Sequence, residues 1–405
     1  MPTNQHHHSD YRNKEQQLPA MRRLISALVT FIVAALTTAT TFTLVPRIAH
    51  AAPHNQTGHQ NAANTPCHAV TVNTSLPNGS PAPLAATLCT PPGATKAAML
   101  VHGLSYDQYY WDLPGHGQRY STRAALNRAG YATLNISRLG TGKSAHPASP
   151  MVNADSQALT MHQAIQALRN GSLGQHFDHV ALVGHSYGSI LGYIEAGRYH
   201  DVDAFVATGA AHQIQLINGI VGILLPSHPA MQDRKFHDYH LDPGYLTTNP
   251  GARRVLYNTK TADPSVLAED EKLKSTYSVT DFPSFLPELL LNSASHSINI
   301  PVFTVLGKDD AVMCGIPPLG TDCSSAAAVK THERPFFGPH ATLDTALIPN
   351  TGHDLALQQS APESNAQIAD WLNRTMPPGP HGAASNSNTP PIVEHVDGGA
   401  GTGRH

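Results

Sequence analysis

Short apolar runs and amphipathic stretches alternate along most of the chain. The runs at 97–101, 131–136, 179–183, 204–208 and 302–306, with a weaker one at 346–349, are continuous, which predicts strands buried on both faces. Between them, residues 121–128, 154–169, 187–199 and 365–376 carry apolar side chains at helical spacing, as with Ala366, Ile368, Ala369 and Leu372. Strands separated by helices predict an α/β fold, a mostly parallel, doubly wound sheet covered on both faces. The alternation breaks once, at about 214–297. There, 217–225 and 285–291 are apolar without a strand pattern, which predicts an inserted helical cap, because a second catalytic domain needs more residues than this.

The ends read differently. Residues 1–20 are polar; Arg22 and Arg23 then precede an apolar, threonine-rich run at 24–45 and the triplet Ala49-His50-Ala51. A basic segment, an apolar segment and a small-x-small site in that order describe a secretory signal peptide, so residues 1–51 are expected to be an extension and signal, cleaved after Ala51. The competing expectation is that 24–45, long enough to span a bilayer, stays as a membrane anchor. Residues 52–65 and 376–405 are polar, without periodicity, and are expected to be a flexible linker and a disordered tail. One folded domain, 66–375, remains, with the cap inside it.

Composition narrows the class. With 40% hydrophobic and 13% charged residues, a large core is supplied and a charge-driven disordered polymer is excluded. The 25 Lys and Arg nearly balance the 28 Asp and Glu and form no basic stripe, so nucleic acid is not an expected partner. Membrane contact is expected only transiently, through the signal segment. The 26 histidines are scattered, and His237 and His240 have no identifiable third ligand, so no metal is expected. Four cysteines in an exported chain predict two disulfides, Cys67 with Cys89 and Cys314 with Cys323 on sequence proximity. Neither pair has the C-x-x-C spacing of a zinc or redox site.

The strongest chemical signal is Gly184-His185-Ser186-Tyr187-Gly188, set between a predicted strand and a predicted helix. Such a turn lifts a serine hydroxyl to the top of a sheet, and its glycines avoid collisions with neighbouring backbone. The bland alternative is a tight turn whose serine caps the helix. A hydroxyl is a poor nucleophile at neutral pH, so it needs a base, and the base needs an orienting acid. Downstream, Gly307-Lys308-Asp309-Asp310 follows the strand at 302–306, and Asn350-Thr351-Gly352-His353-Asp354 follows the last predicted strand. His353 is the expected base and Asp310 the expected acid, with Asp309 as its rival.

The order Ser186, Asp310, His353 resembles the α/β-hydrolase superfamily of serine hydrolases, and the resemblance covers about 66–376. His102-Gly103, after the first core strand, resembles the family's oxyanion element; this implies that the backbone N–H groups of Leu104 and Tyr187 stabilise the developing oxyanion. Residues 138–144 resemble the family's D-x-x-G-x-G-x-S turn, with Ser137 where aspartate is usual. His102 is expected to hydrogen-bond its loop, without a catalytic part. Tyr110 and Trp111 are candidate walls of the acyl site, with plain packing as the alternative. The resemblance implies an exported serine esterase or lipase-like enzyme acting on a small-molecule ester, with an acyl-enzyme intermediate and no cofactor. A peptidase, an acyltransferase and a cofactor-free perhydrolase share that intermediate, and a binding protein that kept the scaffold is the reading from another class.

Overall fold

The computed structural model describes residues 65–215, 218, 226–290 and 293–376. The predicted signal segment and cleavage site, nearly all of the linker, the tail and almost all of the apolar stripe at 217–225 lie outside these residues.

Eight strands form the central sheet in the order β1-β2-β4-β3-β5-β6-β10-β11. They begin with an antiparallel hairpin, β1 (Cys67–Val72) and β2 (Leu84–Cys89), in which Cys67 stands opposite Cys89. The two are disulfide-bonded, as are Cys314 and Cys323. Next come β3 (Lys96–Val101), β4 (Tyr131–Ile136), β5 (His179–His185) and β6 (Ala204–Thr208), all parallel to one another. Nearly every residue in these four is buried, because helices cover both faces, and their sequences are accordingly apolar without alternation.

The connection from β6 to the next core strand is the insertion. It carries a small antiparallel sheet of β7 (Ser227–Pro229), β8 (Tyr245–Thr248) and β9 (Tyr277–Ser278) as well as helices. The cap is therefore not purely helical, as its sequence predicts. Strands of three, four and two residues are too short to show a period of two. The chain then returns through β10 (Val302–Gly307), which pairs with β6, and β11 (Leu343–Ile348).

The helices are α1 (Thr122–Arg128), α2 (Ala154–Arg169), α3 (Tyr187–Tyr199), α4 (Pro264–Leu273) and α5 (Asp281–Leu290) in the cap, α6 (Ala326–Glu333) and α7 (Ala361–Thr375). A reciprocal capping box of Asn153 and Ser156 starts α2. No described helix is long and apolar enough to cross a membrane. Ser186 follows β5 directly, and Asp310 and His353 lie three and five residues beyond β10 and β11, so the parallel strands deliver all three to their common C-terminal edge, where open α/β sheets bind ligands.

Candidate active site

Ser186 sits between β5 and α3 with φ 51° and ψ −119°, a conformation that a non-glycine residue holds only when its surroundings impose it. Its amide donates to the Thr208 carbonyl. Close approach explains the flanking glycines. A Cβ on Gly188 would stand 2.3 Å from the Val101 carbonyl oxygen, and one on Gly184 would stand 2.6 Å from Ser189 Cα.

His353 Nε2 lies 2.8 Å from Ser186 Oγ, and its Nδ1 lies 2.9 Å from Asp310 Oδ2. The other carboxylate oxygen of Asp310 accepts from the Val312 and Met313 amides, which fixes the side chain. Burial disfavours the charged imidazole of His353, but the charge and hydrogen bond of Asp310 outweigh it and hold His353 above its ordinary value. Asp309 points elsewhere: it is exposed and accepts from Asn258.

Leu104 lies on the loop packed against the serine, since a Cβ on Gly103 would stand 3.2 Å from Ser186 Cβ. His102 holds that loop: its Nε2 accepts from the Arg138 amide and its Nδ1 meets the Gly103 carbonyl oxygen. Burial and the neighbouring Arg138 keep this imidazole well below its usual range, so it is neutral. The Arg138 guanidinium in turn donates to the carbonyls of His102 and Gly103. Where Ser137 replaces the expected aspartate, its hydroxyl donates to Asp107, so a carboxylate reaches the turn from another loop. Tyr187, the other candidate oxyanion residue, has its phenol fastened to the cap through Asp281 at 2.9 Å.

Tyr110 and Trp111 correct one expectation. Tyr110 stacks on His185 with ring centroids 4.1 Å apart, and Trp111 packs edge-on against Tyr110. Both are buried behind the nucleophile turn and support it; neither is among the residues lining the cavities at Ser186. Aromatic residues after a loop fill core as readily as they wall a pocket.

Two narrow cavities meet at Ser186. One, with free space of about 20 Å³, is lined by His353, Tyr106, Thr248, Arg253 and Leu256. The other, about 40 Å³, is lined by Tyr187, Ile190, Ile214, Phe282, Phe285 and Met313. A larger cavity of about 430 Å³, at Asp112, Arg123 and Arg128, shares no residue with the site and is open and polar.

The sequence gives no hint of a buried polar network beneath the first cavity. Arg253 binds Asp270 through two contacts of 2.7 and 2.9 Å, and the hydroxyls of Tyr109 and Tyr257 also donate to Asp270. The same guanidinium donates to Ser105 Oγ at 2.8 Å and lies over the Tyr106 ring. Ser105 has φ 59° and directly follows Leu104. Asp354 accepts from the Tyr106 hydroxyl, and its other oxygen lies 3.3 Å from His185 Nε2. Burial, then the Asp270 carboxylate, pushes Asp354 up to about 8, while burial and the adjoining His353 hold His185 well below its usual range. Only the adjacency of Asp354 to His353 is visible in the sequence.

Comparison with known proteins places this geometry. The profile of the alpha/beta hydrolase family matches residues 98–369. Solved structures similar at a TM-score of 0.50 or above include two hydrolases. One, assigned as an aryl esterase from Burkholderia cenocepacia, has a TM-score of 0.50 and 16% identity and covers 76% of this chain and 99% of its own. The other, assigned as a hydrolase from Bacillus subtilis, has a TM-score of 0.51 and 13% identity and covers 76% and 93%. A thermophilic esterase from Thermogutta terrifontis overlaps 76% of this chain and 99% of its own, at a TM-score of 0.48 and 15% identity. No curated protein matches. The solved structures share the fold, and the family profile runs from the strand before His102-Gly103 into the last helix: the chain belongs to the alpha/beta hydrolase family.

Proposed function

We propose that the chain is an exported serine hydrolase that cleaves carboxylic esters through an acyl-enzyme. The observation that carries the proposal is the continuous relay from Ser186 Oγ to His353 Nε2 and from His353 Nδ1 to Asp310 Oδ2. His353 takes the hydroxyl proton as Ser186 attacks the ester carbonyl, and Asp310 stabilises the imidazolium that forms. The amides of Leu104 and Tyr187 receive the developing oxyanion, a contribution of about 3–4 kcal/mol per donor in such sites. His353 then protonates the departing alcohol. Water, activated by the same imidazole, attacks the acyl-enzyme and returns Ser186 to its resting state.

The position of His353 sorts the two cavities. The leaving group must depart beside the imidazole that protonates it, so it occupies the cavity lined by His353, Thr248 and Leu256. The acyl group then enters the apolar cavity at Ile190, Phe285 and Met313. The two disulfides support export, since such bonds persist in oxidising compartments.

A burst assay with p-nitrophenyl esters from acetate to palmitate, on the protein and on Ser186→Ala, tests the reading. A stoichiometric burst, lost in the variant with a rate lower by about 10⁶-fold, is expected, and the dependence of the rate on chain length sizes the acyl site. Neither a burst nor turnover on any ester of the series, from correctly folded protein, refutes cleavage of these esters, and amide substrates then test a peptidase.

A further inference from the structure

A second cluster of chemistry lies away from the serine, where α2 meets the far end of α3. His162 comes from α2, Glu195 from α3, and Asp201 from the loop that follows α3. One potential ligand atom from each lies within 4.8 Å of the others. His162 Nδ1 is 2.7 Å from Asp201 Oδ2, and the His162 ring stacks on Tyr199. Glu195 is fully buried; its carboxyl faces and hydrogen-bonds the Asp201 carboxyl, and among the described residues no N–H or O–H group of another residue donates to either Glu195 oxygen or to Asp201 Oδ1.

Three carboxylate oxygens without such a donor in one buried corner are costly unless something positive joins them. The neighbouring guanidinium of Arg169 is not that group. It is engaged by the carbonyls of Asp201 and Asp178 and the carboxylate of Asp203. Two candidates remain, a proton shared between Glu195 and Asp201 or a cation. His162 Nδ1 and Gln166 Nε2 both reach Asp201 Oδ2, at 2.7 Å each, and leave the facing Glu195 and Asp201 Oδ1 atoms to the proton or the cation; one imidazole with two carboxylates is a donor set suited to a divalent transition metal. His162 and Asp201 are partly exposed, which gives an ion a way in and a position for water.

We propose that His162, Glu195 and Asp201 bind a divalent transition-metal ion, with zinc as the fitting probe, which ties the end of the nucleophile-bearing helix to α2. Its bonds, about 2.0–2.2 Å to nitrogen and oxygen, would draw the three side chains together around the ion. The role is structural, since the cluster lies in the second half of α3, nine residues beyond Ser186. The expectation of a metal-free chain drawn from scattered histidines misses this site because its three ligands follow no spacing motif.

The test uses the full chain, stripped with chelator and then equilibrated with zinc buffered at micromolar free concentration. Metal per protein is measured by mass spectrometry beside thermal melting, for the protein and for Glu195→Gln. Because other histidines also bind zinc, the readout is the difference. The expected result is one more equivalent of zinc in the unmodified protein, with a melting temperature raised by about 5 °C that Glu195→Gln does not show. Should Glu195→Gln fail to fold, His162→Ala, at a partly exposed position, provides the same comparison. Equal zinc content and equal melting shifts in protein and variant overturn the metal site and leave the shared proton. Neither readout depends on ester hydrolysis, so the outcome stands apart from the fate of the hydrolase proposal.

Discussion

Asp310 holds His353 with one carboxylate oxygen, at 2.9 Å from Nδ1, while its other oxygen accepts from two backbone amides. The carboxylate thus cannot rotate away from the imidazole. Because Asp310 raises His353 above its ordinary 6.5, the neutral base is lost as pH falls through a value higher than that. The acid limb of kcat/KM on an uncharged ester is therefore expected to have its midpoint above 6.5. In Asp310→Asn the limb moves down and kcat falls by about 10⁴-fold. A pH–rate profile with its midpoint at or below 6.5 in the unmodified protein would remove Asp310 from the role of acid.

Arg253 links the cap to the loop that carries Leu104 and Ser105. Arg253→Met leaves Asp270 buried without its partner, and a loss of about 3–5 kcal/mol in urea unfolding is expected. Replacing both, as Arg253→Met with Asp270→Leu, is expected to recover much of that stability but not kcat, because Ser105 beside Leu104 is no longer held. Full recovery of kcat in the double variant contradicts a positioning role for Arg253.

Asp354 sets a stability trend with pH. Its carboxyl, raised to about 8 in the folded protein, holds a proton more tightly there than in the unfolded chain. Its favourable contribution is complete below about 4 and is lost as pH rises through 8, by at most about 1.4 kcal/mol per pH unit. Relative to Asp354→Asn, the unmodified protein is thus expected to weaken from pH 5 to pH 8. Denaturation curves of both at the two pH values measure this, and a gap that stays constant or reverses contradicts a protonated Asp354.

Phe285 packs against Tyr187 and lines the apolar cavity. Phe285→Ala enlarges that space at a stability cost of about 3–5 kcal/mol. The ratio of kcat/KM for octanoate over butyrate is expected to rise by about tenfold. An unchanged ratio would place the acyl group on the other side of Ser186.

The core strands and the site were legible to different degrees. Continuous apolar runs locate β3, β4, β5, β6 and β10 to within two residues, because a parallel sheet buried on both faces leaves no other pattern. The last helix begins at Ala361, earlier than its apolar period suggests, since Pro362 and Glu363 suit a first turn. The α6 helix, Ala326–Glu333, is too short and too rich in small and polar residues to show an apolar period. Ser186 and His353 stand in local motifs and are readable one residue at a time. Arg253 and Ser105 are 148 positions apart and meet only through the docking of the cap, which no local period encodes.

That docking changes what the insertion is. The Ser275 amide donates to the Ser105 carbonyl, and Asp281 accepts from the Tyr187 hydroxyl, so the cap touches the chain beside Leu104 and at Tyr187. It is not an interchangeable module laid over a finished catalyst. Excising it to reach a minimal enzyme, or grafting on a relative's insertion, would strip the side-chain anchors beside Leu104 and Tyr187 together. Specificity is better altered by substituting the cavity walls and leaving the anchors in place.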